Sequence, residues 1–412
     1  MNTKIFSKRF VGNLALALMF VAGGALASEE ATIDGILHIT NGDTPSSGVE
    51  TIEFEEMWRV GGEDGEDFFG LVTQVLVGDD GSIYLLDTRL SEVPVYSPDG
   101  ERLETLSREG EGPGETRMPT NLVKMPDGNL GLVQRFPGKI TLIDMEGNPQ
   151  GQVEPKLENG GFLALFDCFP HKEGQLTMVG STFKQNGNTG RSELNFVANF
   201  NTDGSETVRF VSNKKETDFS NFHFNEDEQN DITFRKVAVG DDGRVYVSQV
   251  RNKYQIHVYL PDGNLERIIE RKYEHHKRSD EEYQKVFDLA ESQLSRVPNA
   301  KFDISKIDPD IGSIRFSEDG NLWVTTSQSG IDQPTGVMVT FDVFTPDGDF
   351  IKQVQARCDG DGKEDSLFWA PDGSAVLVTG FADALESLQS NGSGGDNDEA
   401  EPMEVVYLKP IK

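Results

Sequence analysis

Eleven times, between two short apolar runs, this chain sets an Asp or Glu directly before a glycine, as in Asp80-Gly81, Asp99-Gly100, Asp127-Gly128, Asp242-Gly243, Asp319-Gly320 and Asp372-Gly373. Asp-Gly flanked by alternating hydrophobics is a strong short-range hairpin signal, and the turn it suggests is type I′, with positive φ at both central residues. The turns come in pairs. From Gly81 through Gly128, Gly174, Gly243 and Gly320 to Gly373, the first glycines of the pairs lie 47, 46, 69, 77 and 53 residues apart. Each unit reads strand a, tight turn, strand b, loop, strand c, tight turn, strand d. In the first unit these strands fall at 75–77, 83–86, 93–96 and 102–106. Four-stranded antiparallel units repeated along a chain indicate a β-propeller.

The sequence therefore predicts an all-β fold, a six-bladed β-propeller of four-stranded antiparallel blades with one helical insertion. The sixth unit has no second Asp-Gly turn and is short of a fourth strand. Residues 51–60, followed by the Gly- and acid-rich 61–66, repeat the pattern of 103–108 followed by 109–115. The N-terminal strand is thus expected to complete the last blade and close the ring, removing exposed sheet edges. The run Val-Gly-Asp-Asp-Gly-Ser-Ile-Tyr-Leu-Leu-Asp (77–87), then Val-Tyr-Ser-Pro-Asp-Gly (95–100), then Glu-Gly-Pro-Gly-Glu (111–115) resembles bacterial six-bladed propellers of the NHL-repeat and TolB-like type. The resemblance extends over nearly the whole chain after the leader. It implies a fold rather than one activity, since that group includes binding modules, lactonases and lyases.

The first 27 residues read as a signal peptide. Lys4, Lys8 and Arg9 precede an apolar run, Val11 to Ala22, and Ala25-Leu26-Ala27 supplies a small-x-small cleavage pattern. The run is shorter than the roughly 20 residues a spanning helix needs, so export, periplasmic or secreted, is expected, with no membrane span in the mature chain. Residues 28–50 are expected to be a flexible leader and 51–412 the propeller. The formal charge is −32, and losing the three signal-peptide cations leaves −35. Such a charge repels phosphate backbones and argues against nucleic acid as a partner. Two cysteines, Cys168 and Cys358, do not make a disulfide scaffold, and Cys168 falls in an apolar strand register. A monomer is expected.

Length variation is one-sided. The a–b and c–d turns stay short, whereas the extra residues fall in b–c loops (181–192, 327–336 and an acidic loop at 382–402, expected to be mobile) and in d–a connectors (214–231 and 271–310). Loops and connectors of these two kinds emerge on one face of a propeller, the face expected to bind. The longest insertion carries a capping box, Ser279 with Glu282, followed by Tyr283, Val286, Phe287, Ala290 and Leu294 at helical spacing. A helix over about 280–295 is expected, either a lid over the channel or a packed strut.

Aligned on their turn glycines, the six a-strands carry polar residues at one position, Gln74, Asn121, Asp167, Lys236, Ser313 and Ser366, next to apolar ones. Arg235 and Asp365 lie one position further out, and Arg315 two residues further in. Since alternate side chains leave a strand on opposite sides, this set is expected to ring the channel mouth, acids and amides on one side and cations on the other, as suits a ligand with a carboxylate or with both charges. Other chemistry is less well supplied. Residues 359–365 resemble part of a calcium loop but place glycine early, lysine fifth and no glutamate twelfth. The six histidines miss the channel registers, and His275 and His276 are expected to be solvent-exposed. No nucleophile elbow, phosphate loop or paired-cysteine motif occurs. The sequence thus points to an exported propeller without a cofactor that binds a small molecule or an envelope or extracellular protein. A calcium-dependent, lactonase-like hydrolase or a lyase, and an envelope-assembly scaffold, are the alternatives.

Overall fold

The computed structural model describes residues 28–411 apart from 64, 158, 159, 172, 188, 230, 231, 233, 234, 296, 298, 371 and 390–401. The signal-peptide residues and most of the acidic loop lie outside the described residues.

The Asp-Gly turns form hairpins of a different type from the one expected. In the paired turns of the repeat the glycines have positive φ (Gly81 81°, Gly100 86°, Gly128 89°) and the acidic residues before them do not, whereas Asp34 before Gly35, in the hairpin ahead of the repeat, has φ 52° as a type I′ turn requires. In the first turn Gly81 N–H bonds Gly78 O at 2.9 Å and Gly78 N–H bonds Ser82 O at 2.8 Å. This is a three-residue hairpin loop, a type I turn followed by a left-handed glycine. The acid has its own task, since Asp80 accepts from Ser82 N–H, and Asp127, Asp242, Asp262 and Asp319 accept from the residue two further on in the same way.

These hairpins build antiparallel sheets from consecutive strands. The first comprises Val72–Val77, Ile83–Asp87, Val93–Tyr96 and Arg102–Leu106, and the second Pro119–Lys124, Leu130–Gln134, Lys139–Ile143 and Pro149–Val153. The third comprises Phe162–Pro170, Leu176–Asn186, Gly190–Phe200 and Glu206–Asp218, and the fourth Val237–Val239, Val245–Val247, Gln255–Tyr259 and Leu265–Arg271. The fifth is Ile311–Phe316, Leu322–Thr326, Val337–Phe344 and Phe350–Arg357, and the sixth begins with Ser366–Trp369, Ala375–Val378 and Glu404–Pro410. The strand Val49–Gly61 joins the last two. Its first residues run parallel to Gln353–Arg357, and from Phe54 to Gly61 it pairs antiparallel with Glu404–Pro410 as the sixth sheet's outer strand.

The sheets stack face to face, which makes this a β-propeller. Ile83–Asp87 is buried along its whole length because neighbouring sheets cover both faces, whereas the outer Arg102–Leu106 is exposed except at Leu106. Apolar clusters bridge consecutive sheets: Leu86 and Val95 meet Leu122 and Leu132, and Val133 and Ile140 meet Leu165 and Phe196. Val179 and Val197 meet Val237 and Val247, Tyr246 and Ile256 meet Ile314 and Phe344, and Trp323 and Phe341 meet Leu367 and Trp369. Val376, Val405 and Tyr407 of the last sheet pack on Leu71, Leu85 and Tyr96 of the first. Each fully buried side chain of this size contributes about 1.5–3 kcal/mol.

Three segments differ from the sequence reading. Residues 28–50 are not a flexible leader: Glu29–Ile33 and Ile36–Asn41 form a hairpin whose second strand pairs parallel with Leu265–Arg271. Asn41 then fastens it, its amide bonding Glu270 O and Gly348 O and receiving Phe350 N–H. The added residues at 181–192 lengthen the third sheet instead of forming a loop, because pairing out to Asn186 and Gly190 satisfies their backbone groups. Among the described residues two α-helices occur where one was expected, α1 (Asp280–Leu294), with both bonds of the capping box, and α2 (Phe381–Gln389), which takes up the start of the acidic loop. No helix among the described residues is long and apolar enough to cross a membrane.

Trp58 of the N-terminal strand stacks between Tyr96 and Tyr407 at 5.7 and 5.3 Å, and a Cβ on Gly100 would come within 2.7 Å of its ring. At Gly128 the same addition meets nothing. Gly128→Ala should therefore cost only the left-handed strain, about 1–2 kcal/mol. Gly100→Ala should cost about 1–3 kcal/mol more through overpacking, and denaturant titration of the two variants measures the difference.

Candidate functional site

In four of the a-strands, pairing slips one residue before the aligned polar position: between Val72 and Gln74, Pro119 and Asn121, Leu165 and Asp167, and Ile311 and Ser313. A bulge re-aims the side chain that follows it. The sheets stand radially, so the faces of an a-strand look toward neighbouring sheets, and three of the six aligned polar residues, Asn121, Asp167 and Lys236, bond to another sheet.

The structure brings some of the expected residues together. Asn121 donates its amide to Asp167 of the next sheet, and Asp167 also accepts Cys168 N–H at 2.8 Å. Lys236 donates to Ile311 O of the fifth sheet, and Ser313 pairs with Thr325 within its own hairpin at 2.7 Å. Ser366 is buried at the start of its strand, and Gln74 is half-buried beside Thr73. Two expected members fall elsewhere. Asp365 spends its carboxylate on Asp361 N–H and Gly380 N–H, holding the 361–365 connector and the entry to α2. Arg315 packs on Trp323, Phe341 and Trp369, toward the tight turns.

Arg235 is the centrepiece. Its backbone is left-handed at φ 52°, a conformation that costs a non-glycine residue energy and recurs at functional sites. From the fourth sheet its guanidinium reaches Thr73 O of the first sheet at 3.5 Å. It lies 5.1 Å from the Phe368 ring and 5.7 Å from the Phe381 ring of α2. Arg235 is open to solvent although protein surrounds it, and that enclosure lowers its pKa against the pull of Asp167. Burial likewise drives Asp167 up to about 7, opposed by its hydrogen bonds to Cys168 and Asn121 and by the Arg235 charge. The sequence reading did not include Thr73, Phe368 or Phe381. Strand alternation from Ser366 puts Phe368 on the same side, which is a usable signal; nothing local marks Phe381.

Above this mouth, α1 buries no residue completely. Phe287 of its apolar stripe packs on Phe302 at 5.0 Å, and ion pairs join it to the sixth sheet's loops, Glu282 to Lys363 at 3.2 Å and Lys285 to Glu386 at 3.0 Å. The base of the insertion is firmer. Glu226 receives Arg251, Arg278 and Ser305 N–H, and Arg278 also holds Asp308. Burial raises the Glu226 carboxyl, but the hydrogen bonds from Arg278 and Ser305 and the two arginine charges outweigh it, so it sits below the usual range. His275 pairs with Asp310 at 2.6 Å, and His276 is mostly buried near Glu282 and Asp308, so the expectation that both are solvent-exposed fails for His276. In the 359–365 connector Asp361 accepts Lys363 N–H and Glu364 N–H. Among the described residues no three His, Cys, Asp or Glu side chains converge as a metal-holding group. Cys168 and Cys358 are free and belong to different apolar clusters.

No family model matches the chain, and no curated protein matches it. Solved structures with some likeness include a Bacteroides fragilis protein described as exported, at 9% identity over 88% of this chain and 100% of that one, with a TM-score of 0.48. Virginiamycin B lyase from Staphylococcus aureus matches at 11% identity over 79% and 81%, with a TM-score of 0.41. Regucalcin, a calcium-binding protein from Agrobacterium tumefaciens, matches at 13% over 88% and 97%, with a TM-score of 0.39. These identities and scores are too low to bear on the site.

The Asp167 carboxyl gives a pH test. Unfolded, it titrates near 3.9; folded, at about 7. Between these values the folded chain holds a proton that the unfolded chain has released, so this group's contribution to stability falls as pH rises through the window. Asp167→Asn keeps an acceptor for Cys168 N–H and Asn121 and removes the charge. Its melting temperature should exceed the parent's by a few degrees at pH 8 and equal it at pH 4, as scanning calorimetry can show.

Proposed function

We propose that this chain is an exported, closed six-bladed propeller of the NHL-repeat or TolB-like type that binds a small ligand, or a segment of an envelope or extracellular protein, at the channel mouth without catalysis. The observation that carries the reading is Arg235: a cation in a strained backbone conformation, between two aromatic faces and the Asp167 carboxyl, with one backbone acceptor at the limit of hydrogen-bond distance. An incoming carboxylate or carbonyl supplies Arg235 with better acceptors, and Phe368 and Phe381 supply apolar cover. Asn121, Lys236 and Ser313 already have protein partners and act as the frame. The acidic surface and the ion-paired α1 admit cationic or zwitterionic molecules in preference to polyanions.

A second reading rests on Asp167, since a carboxyl that titrates near neutrality can give and take a proton. It makes the chain a lactonase-like hydrolase or a lyase, with Asp167 as acid–base group. Calorimetric screening of the purified protein against carboxylate metabolites and peptidoglycan fragments separates the two. The binding reading expects a ligand that is unchanged after incubation and whose affinity falls at least tenfold in Arg235→Ala. Turnover with a pH midpoint near 7, lost in Asp167→Asn, establishes the enzyme instead, and a panel in which nothing binds and nothing turns over refutes both.

A further inference from the structure

The tight-turn face is hollowed by a cavity of ≈ 1480 Å³ among the a–b turns of the fourth, fifth and sixth sheets. Arg315, Trp323 and Trp369 form part of its wall. The Arg315 guanidinium lies 4.8 Å from the Trp323 ring, 5.5 Å from Trp369 and 5.6 Å from Phe341. Those π faces stabilise the cation in part. No carboxylate pairs with Arg315 among the described residues, and its Nη2 is buried without a hydrogen-bond partner. Nε1 of Trp323 and of Trp369 are buried without acceptors as well, and Trp323 is only 7% exposed. Those atoms lie behind the cavity wall, and what Arg315 presents to the cavity is the remainder of a half-buried side chain whose charge no carboxylate neutralises among the described residues. Burial brings Arg315 down to about 10 against the opposing charge of Asp319, so it remains charged at neutral pH.

The rim carries the opposite sign. Glu50 and Glu53 are neutralised by Lys352 and Arg357, and Asp242 by Arg244. Glu318 and Asp319, on the fifth sheet's turn, have no cationic partner within ion-pair distance among the described residues, and Glu318 is exposed. A simple anion is repelled by such a rim, and a simple cation leaves Arg315 unmet. We propose that this cavity binds short peptides with a free C-terminal carboxylate and a basic side chain, the carboxylate pairing with Arg315 against the indole faces and the basic group facing Glu318 and Asp319. The site is separate from the channel mouth and does not depend on how that mouth is used.

Calorimetry and tryptophan fluorescence on the full chain test this with the tripeptide Ala-Lys-Ala, its C-terminal amide and Ala-Glu-Ala. Ala-Lys-Ala should bind and shift the indole emission, with the amide and the glutamate peptide at least tenfold weaker. Arg315→Met should abolish binding. Glu318→Gln, on an exposed turn, should weaken Ala-Lys-Ala severalfold and serves if Arg315→Met fails to fold. Failure of Ala-Lys-Ala to bind, equal binding of the amide, or unchanged binding in Glu318→Gln would overturn the proposal.

Discussion

The architecture depends on one pairing, that of Phe54–Gly61 with Glu404–Pro410. Every other four-strand set is made from consecutive residues, so its hairpins form locally. This one joins the two ends of the chain and must bear the entropy of closing the longest loop in the molecule. Three things offset that cost. The ladder satisfies the backbone of the last sheet, Trp58 is stacked between the last sheet and the first, and the Leu71, Tyr96 and Tyr407 cluster lies beneath. The strand's earlier residues also bind the fifth sheet, and the hairpin before them binds the fourth. The N-terminal segment is thus a clasp across three sheets.

Both candidate sites follow from radial stacking. A charged residue on an a-strand can bond a neighbouring sheet, enter the channel or turn toward the hairpin face. Lys236 takes the first course, Arg235 the second and Arg315 the third. The two arginines share a physical condition. Each rests on aromatic rings with no carboxylate at ion-pair distance among the described residues, so each has unused capacity to bind acceptors. Asp167 reports the same enclosure from the other sign of charge.

Much of the fold was legible because it is local. Asp-Gly spacing located the hairpins, since glycine alone adopts the required φ cheaply, although the aspartate's bond to the residue two further on makes the turn type I with a following left-handed glycine. The capping box located α1. The hairpin at 29–41 carries the same Asp-Gly signal, at Asp34-Gly35 between Ile33 and Ile36, whereas its docking has no local mark, because its partners, Leu265–Arg271 and Gly348, are more than two hundred residues away. The channel set was legible as a register but not as a site. Period-two alternation gives the side of a strand and not what lies there, and the bulges before Gln74, Asn121, Asp167 and Ser313 have no sequence mark. Arg315 was read as a channel residue for the same reason, and the aromatic trio that holds it comes from three different strands.

Hydrogen exchange across both ends of the chain tests the clasp most directly. Amides of Phe54–Gly61 and Glu404–Pro410 should be protected together, as strongly as those of the buried strand Ile83–Asp87, and should lose protection at one denaturant concentration. Free exchange along Phe54–Gly61 while Glu404–Pro410 stays protected would contradict the account.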